Sequence, residues 1–353
     1  MDFSTVETLS NWSNITIYAA MAVYAVSFVL FAMDLAARSV RAGERAEHRS
    51  AVGATRRRGV TTAVEGAGRT AVLEADPGEA VEGVRVERAA VEDAAAWRDT
   101  RASASLRIAM LLLYLGFGLH LAATVLRGVA AGRVPWANMF EFSLTFTALI
   151  VLVFIVSRFW ADLRFLGTFI TGFTTLWLGV ATIAFYVEVV PLIPALQSAW
   201  LVIHVFIASL STGCLALGFG LSTMQLLQTA RQHDARTGRA SKLRFLASLP
   251  DPERLEALAY RINVIGFILW TFTLVAGAIW AERAWGRYWG WDTKEVWTFV
   301  IWVVYAGYIH ARATNGWRGS PSAWLSIVGF ATVLFNFAIV NVFFKGLHAY
   351  SGL

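Results

Sequence analysis

Trp285-Gly286-Arg287-Tyr288-Trp289-Gly290-Trp291-Asp292-Thr293-Lys294-Glu295-Val296-Trp297 packs four tryptophans, a tyrosine and four charges into thirteen residues. Apolar stretches of membrane-spanning length lie on both sides of it. Trp and Tyr favour the headgroup layer as anchors, because their rings are apolar with a polar tip. Anchoring takes one or two such residues per helix end, yet Trp280 to Trp302 hold six of the chain's fifteen tryptophans, interleaved with Arg287, Asp292, Lys294 and Glu295. The run reads as an aromatic slab at a membrane surface, joining two spans.

The slab fixes the class of the chain, and the composition agrees. Of 353 residues, 57% are hydrophobic and only 15% charged, a balance that belongs to a polytopic membrane protein rather than a soluble domain. The net charge of +6 does not signal nucleic acid, because the basic residues lie in loops between apolar runs. The single cysteine, Cys214, sits inside an apolar run, so the chain alone forms no intrachain disulfide and has no CxxC motif. Asp2 and Glu7 replace the basic start of a secretory leader, so the N-terminus reads as an uncleaved first span.

A spanning helix needs roughly 20 mostly apolar residues. Eight segments qualify: 15–36, 106–127, 139–158, 165–187, 200–226, 262–282, 297–311 with its flanks, and 323–344. The seventh is the shortest and the most polar at its ends. The expected fold is an all-α integral membrane bundle of about eight transmembrane helices. Inner loops 37–105, 158–164, 227–261 and 312–322, with Arg107 just inside the second span, hold 24 of the 30 Lys and Arg residues if the N-terminus lies outside. By the positive-inside rule, both termini and the slab face the outside of the cell membrane. Residues 1–39 then form the first transmembrane unit. Residues 40–105 form a cytoplasmic insert, rich in Ala, Arg, Glu, Val and Gly, that buries too little to fold and is expected to be disordered. Residues 106–353 form the main transmembrane domain, with the external segment 280–302. Segment 250–261 reads as an amphipathic helix leading into the sixth span.

Four of the six histidines lie in or beside apolar spans. His204 stands at the outer end of span five and His348 just past the outer end of span eight, both at the depth of the slab. A slab of this kind suits a large flat aromatic ligand with charge at one edge, which is the shape of haem, and two imidazoles beside it make an axial pair for haem iron. The plain alternatives are a polar helix-end residue and a chain tail. His310 lies thirteen residues beyond Trp297 on one helix, about 20 Å further in. Ionisable groups at such depth are costly and tend to mark function. His310 reads either as a transit ligand for haem or as a hydrogen-bonding partner of a neighbouring helix. His120 reads as a structural contact. Pro135, Asn138 and Glu141 shape and cap the turn before span three. Arg287 and Lys294 can pair with haem carboxylates or with acidic neighbours. There is no Ser-His-Asp order, phosphate-binding Gly-rich loop or HExxH.

The run from Trp280 to Trp297 resembles the tryptophan-rich "WWD" signature of the haem-handling proteins of cytochrome c assembly. Pro191 to Ser198 with His204, Tyr305 to Arg312, and Gly346 to Tyr350 resemble the CcsA/ResC branch of System II more than the System I relatives CcmC and CcmF. The resemblance covers most of residues 106–353. It implies a cytochrome c synthase subunit of the haem lyase type that exports haem b and presents it to the CxxCH motif of an apocytochrome c. It implies haem binding by His204, His348, His310, Trp285, Trp289, Trp291, Asp292 and Trp297, with His204 and His348 on the iron and no catalytic side chain. It also implies a ResB-type membrane partner and a thioredoxin-like thiol reductant. Thr293 stands where the family usually has proline, and the insert matches nothing in the family. The competing expectations are a haem transporter without ligase activity and a bis-histidine b-type electron carrier.

Overall fold

The computed structural model describes residues 2–64, 103–189, 196–239, 241, 243–314 and 316–348. They form an all-α bundle: α1 (Phe3–Val64), α2 (Ala104–Ala131), α3 (Met139–Ser157), α4 (Gly167–Ala184), α5 (Ala199–Arg236), α6 (Pro252–Trp285), α7 (Thr293–Ala313) and α8 (Ser320–Leu334). Helix α8 runs into a π-helical turn, Phe335–Val340, and then into the short α9, Asn341–Phe343.

The helix ends follow the local chemistry. Ser103, Asn138 and Ser198 cap α2, α3 and α5 through their side-chain oxygens, each satisfying an otherwise unpaired amide. Pro252 opens α6, where a missing N–H costs nothing, and Gly286 closes it with φ at 69°. The expected amphipathic stretch at 250–261 and the sixth span are therefore one continuous helix.

Among the described residues, seven helices are long and apolar enough to cross a membrane: the Phe3–Glu44 part of α1, then α2, α3, α4, α5, α6 and the α8–α9 unit. The chain is a multi-pass membrane protein. Helix α7, expected as the seventh of eight spans, is not among the seven. It is 21 residues long but carries Lys294, Glu295, His310 and Arg312 at its ends.

Helix α1 corrects one expectation. It continues to Val64, so the start of the supposedly disordered insert at 40–105 is helical. The Ala, Arg and Glu residues of this stretch are strong helix formers. The insert's last two residues belong to α2, and 65–102 lie outside the described residues.

Helix α5 is the centre of the bundle. From Ser211 to Gly218 every residue is buried, as expected of a helix with no solvent- or lipid-facing side. It packs on α3, α6 and α8. Gly218 admits the Asn263 side chain of α6, which would lie 1.9 Å from any added Cβ. Small residues let membrane helices approach this closely.

An ionic knot closes the end of the bundle where α2 meets α3. Glu141 and Arg127 have no exposed surface. Glu141 accepts from Arg127 Nε at 3.2 Å, Arg133 Nη1 at 2.6 Å and the Ala137 amide at 3.0 Å. Arg127 also donates to the Val187 carbonyl at 2.5 Å and Ser10 Oγ at 3.4 Å. The knot ties α1, α2 and the chain beyond α4 to the start of α3. Glu141 thus does more than favour a helix dipole.

Candidate functional site

Helices α3, α5, α6, α7 and α8 enclose a cavity of about 1080 Å³, open space at its mouth included. Its walls are mostly apolar and aromatic, from Trp136, Phe142, Trp270, Trp280 and Phe337. The few polar groups are His204, His348, Lys294, three threonines and the asparagines Asn138, Asn336 and Asn341. A concave apolar site with a few convergent polar groups is the usual form of a pocket for a large ligand.

Trp280 contacts both imidazoles that the sequence singled out. The His204 ring stacks on it at 6.0 Å between centroids with a 16° interplanar angle. The His348 ring meets the same indole edge-on at 5.5 Å. Trp285 packs on Trp280 at 4.7 Å and on His348 at 4.8 Å. Both histidines therefore line one cavity, although 144 positions separate them in the chain.

Each imidazole is oriented by a partner. His204 Nδ1–H donates to the Thr273 carbonyl at 3.0 Å. This selects the tautomer with its lone pair on Nε2, the form in which a histidine ligates a metal. Gly277, one turn beyond Thr273, makes room for the ring. A Cβ there would lie 2.8 Å from His204 Cε1 and 2.9 Å from Nδ1.

His348 is placed by Asp292. Its Nδ1 lies 3.5 Å from Asp292 Oδ1, at the outer edge of hydrogen-bond reach, so the contact orients the ring more than it binds it. Asp292 Oδ2 accepts the Leu347 amide at 2.6 Å, and Oδ1 accepts the Lys294 amide at 2.9 Å. The His348 ring, together with these amides, holds the Asp292 carboxyl below its ordinary pKa, against the opposing effect of burial. Asp292 thus caps α7 and anchors the segment that carries His348. Glu295 completes the capping box, accepting the Gly290 amide at 2.7 Å and the Asp292 amide at 3.1 Å, so the turn is closed with threonine at 293.

The remaining expected residues fall elsewhere. Trp289, Trp291 and Trp297 do not line the cavity. Trp297 packs on Phe335 at 4.3 Å. Trp289 meets Trp291 at 6.0 Å, and Trp291 is 77% exposed with φ at 58°, a left-handed conformation uncommon for an aromatic residue. Arg287 packs over Gly290 outside the cavity, while Lys294 lines it. His310 is exposed on the flank of α7 and has no hydrogen-bond partner among the described residues. His120 is buried between Leu144 O at 2.9 Å and Tyr24 Oη at 3.4 Å, a structural contact. Pro191 to Ala195 and Ala349 to Leu353 lie outside the described residues. The turn before span three, which the sequence offered as a possible cavity wall, contributes Trp136 and Asn138 to the lining. Sequence reasoning missed Trp270 and Gly277, for which there was no signal.

Comparison with known proteins places this geometry. A family model described as cytochrome C assembly protein matches residues 136–348, which span the cavity from Trp136 to His348. The chain is similar to proteins described as cytochrome c biogenesis protein CcsA. The one from Guillardia theta is 31% identical over 264 residues, covering 69% of this chain and 87% of the relative. The one from Synechococcus sp. (strain JA-3-3Ab) is 32% identical over 292 residues, covering 67% and 83%. The one from Gloeobacter violaceus is 33% identical over 279 residues, covering 64% and 81%.

Proposed function

Since the chain belongs to the cytochrome c assembly family, with CcsA proteins among its relatives, we propose that it carries haem b to the outer face of the cell membrane and presents it to apocytochrome c as a subunit of a cytochrome c synthase. The observation that carries this reading is the pair of imidazoles, His204 and His348, lining one aromatic cavity and both packed on Trp280. The donor set fits haem: two imidazole nitrogens for the iron and large apolar rings for the macrocycle.

The work of each residue follows from its contacts. His204 would hold the iron through Nε2, its tautomer set by Thr273. His348, placed beside Asp292, would hold it as well. Trp280 and Trp285 pack on the imidazoles and exclude water. Trp297 supports the α7–α8 contact, and Trp289 with Trp291 forms an outer rim beside the site. When bound, haem supplies the vinyl groups that the reaction consumes. The nucleophiles belong to the substrate: each cysteine S–H of a reduced CxxCH motif adds across one vinyl C=C, sulfur to one carbon and hydrogen to the other, so no oxidant is needed. This chain contributes positioning and a dry site.

In this account the bundle has eight spans with both termini outside, and α7 is one of the eight. His310 serves as a transit ligand. Its exposure on the flank of α7 supports contact with a second chain, which would supply the other ligand and is assigned to a ResB-type partner. A thioredoxin-like protein keeps the substrate thiols reduced.

The test is reconstitution of the full chain with a ResB-type partner, haem and a reduced CxxCH-bearing apocytochrome. The synthase reading expects haem that stays on the apocytochrome after acid-acetone extraction. Haem crossing the membrane without covalent transfer would leave a transporter. Redox cycling of tightly held haem without either would leave a b-type electron carrier.

A further inference from the structure

One part of the cavity wall is polar beyond what holding the iron requires. Lys294 lines the cavity and donates from Nζ to Asn341 Oδ1 at 2.5 Å. Asn138 spends its Oδ1 on capping α3, which leaves its Nδ2 buried with no hydrogen-bond partner. Asn336, 4% exposed, likewise has a buried Oδ1 without a partner. Unpaired buried polar atoms cost stability and call for an explanation.

The backbone brings these groups together. Asn336 and Asn341 are five residues apart, which in an α-helix places them about 140° apart around the axis. Between them runs the π-helical turn Phe335–Val340, whose wider spacing sets residues five apart on one side. Both asparagines line the cavity as a result. Among the described residues no Asp or Glu lines it, and the nearby Asp292 carboxylate is occupied by Lys294 N, Leu347 N and His348. The corner thus offers an ammonium and side-chain amides with no carboxylate to meet them. An amide oxygen and nitrogen exchange places by a flip, so Asn336 can also present a donor.

We propose that Lys294, Asn138, Asn336 and Asn341 form a carboxylate-binding corner that takes one propionate of the porphyrin and thereby fixes which half of the macrocycle faces the mouth. This rests on the reading that His204 and His348 hold haem in the cavity. Propionates occupy one half of haem and vinyls the other. Anchoring a propionate at Lys294 turns the vinyl half towards the incoming CxxCH thiols. The corner selects tetrapyrroles by a free carboxylate, independently of the iron.

The test titrates the purified full chain with haemin and with haemin dimethyl ester, following the low-spin bands. The wild type is expected to bind haemin about tenfold or more tightly over the diester, the discrimination typical of a charge-assisted hydrogen bond. Lys294→Met is expected to lose that preference and keep the low-spin bands with both porphyrins, while Lys294→Arg retains it. Asn336→Leu, which leaves the ammonium in place, is expected to reduce it. Equal wild-type affinity for the two porphyrins, or a Lys294→Met protein that discriminates as the wild type does, overturns the corner and leaves the axial pair standing. Absence of low-spin bands with either porphyrin in the wild type overturns the axial pair itself, and the corner with it.

Discussion

Gly277→Ala separates folding from ligation more cleanly than removal of a histidine. The added methyl would lie 2.8 Å from His204 Cε1 and 2.9 Å from Nδ1, closer than real Cβ contacts, so the ring must swing away. Alanine inside a helix is favoured over glycine by about 0.8–1 kcal/mol. Against that stand the weakened His204–Thr273 hydrogen bond, about 0.5–1.5 kcal/mol, and an off-rotamer imidazole of about the same cost. The two costs sum to about 1–3 kcal/mol and outweigh the helix gain by no more than about 2 kcal/mol, so the melting temperature should fall by only a few degrees. Ligation has no such compensation, because losing the group that orients a metal-binding histidine costs about 10–100-fold in affinity. The assay pairs thermal unfolding with haem titration of the same preparations. Gly307→Ala is the control, because a Cβ there meets nothing within 4 Å. A Gly277→Ala protein that binds haem with wild-type affinity and an unchanged low-spin spectrum would refute the argument that this glycine shapes the His204 site.

Asp292→Ala removes the α7 cap, worth about 0.5–2 kcal/mol, and releases Leu347 and His348. It is expected to weaken the low-spin bands and to recover them with added imidazole, as measured by visible spectroscopy. Glu141→Gln leaves two buried arginines short of their counter-charge and is expected to cost about 3–5 kcal/mol, seen as a sharp fall in folded yield by size-exclusion chromatography. The depressed Asp292 pKa fixes the sign of one pH effect. The stabilisation is present above the ordinary carboxylate value of about 4 and is lost as pH falls through the lower folded-state value. Exchange-corrected protection of the Leu347 amide should therefore stay flat from neutral pH down to about 5, and a loss of protection above that pH would contradict the assignment of the docking to Asp292.

Much of the architecture could be read from the chain because membrane helices declare themselves by length and apolarity. Capping residues such as Asn138 and Ser198 marked their own helix starts. The end of α1 was missed because its Ala-, Arg- and Glu-rich continuation has strong helix propensity without a hydrophobic face. His204 and His348 were singled out by depth and by resemblance, and the structure brings both to one cavity. Which tryptophans meet them was not legible. Trp280 points into the cavity from the last turns of α6, whereas Trp291 is turned outward by a left-handed backbone in a loop pinned by Glu295. Only the tertiary hydrogen bonds decide that difference. The π-helical turn that aligns Asn336 with Asn341 is likewise set by packing of α8 against its neighbours, and a periodicity of 3.6 would have put the two on different sides.

The central claim is most directly tested by the visible spectrum and pyridine haemochrome of the purified wild type beside His204→Ala and His348→Ala. The account predicts low-spin b-type haem in the wild type, weakened bands in each variant, and recovery of both with added imidazole. Variants that keep the full wild-type spectrum, or a wild type without haem even when produced with a ResB-type partner, would contradict it.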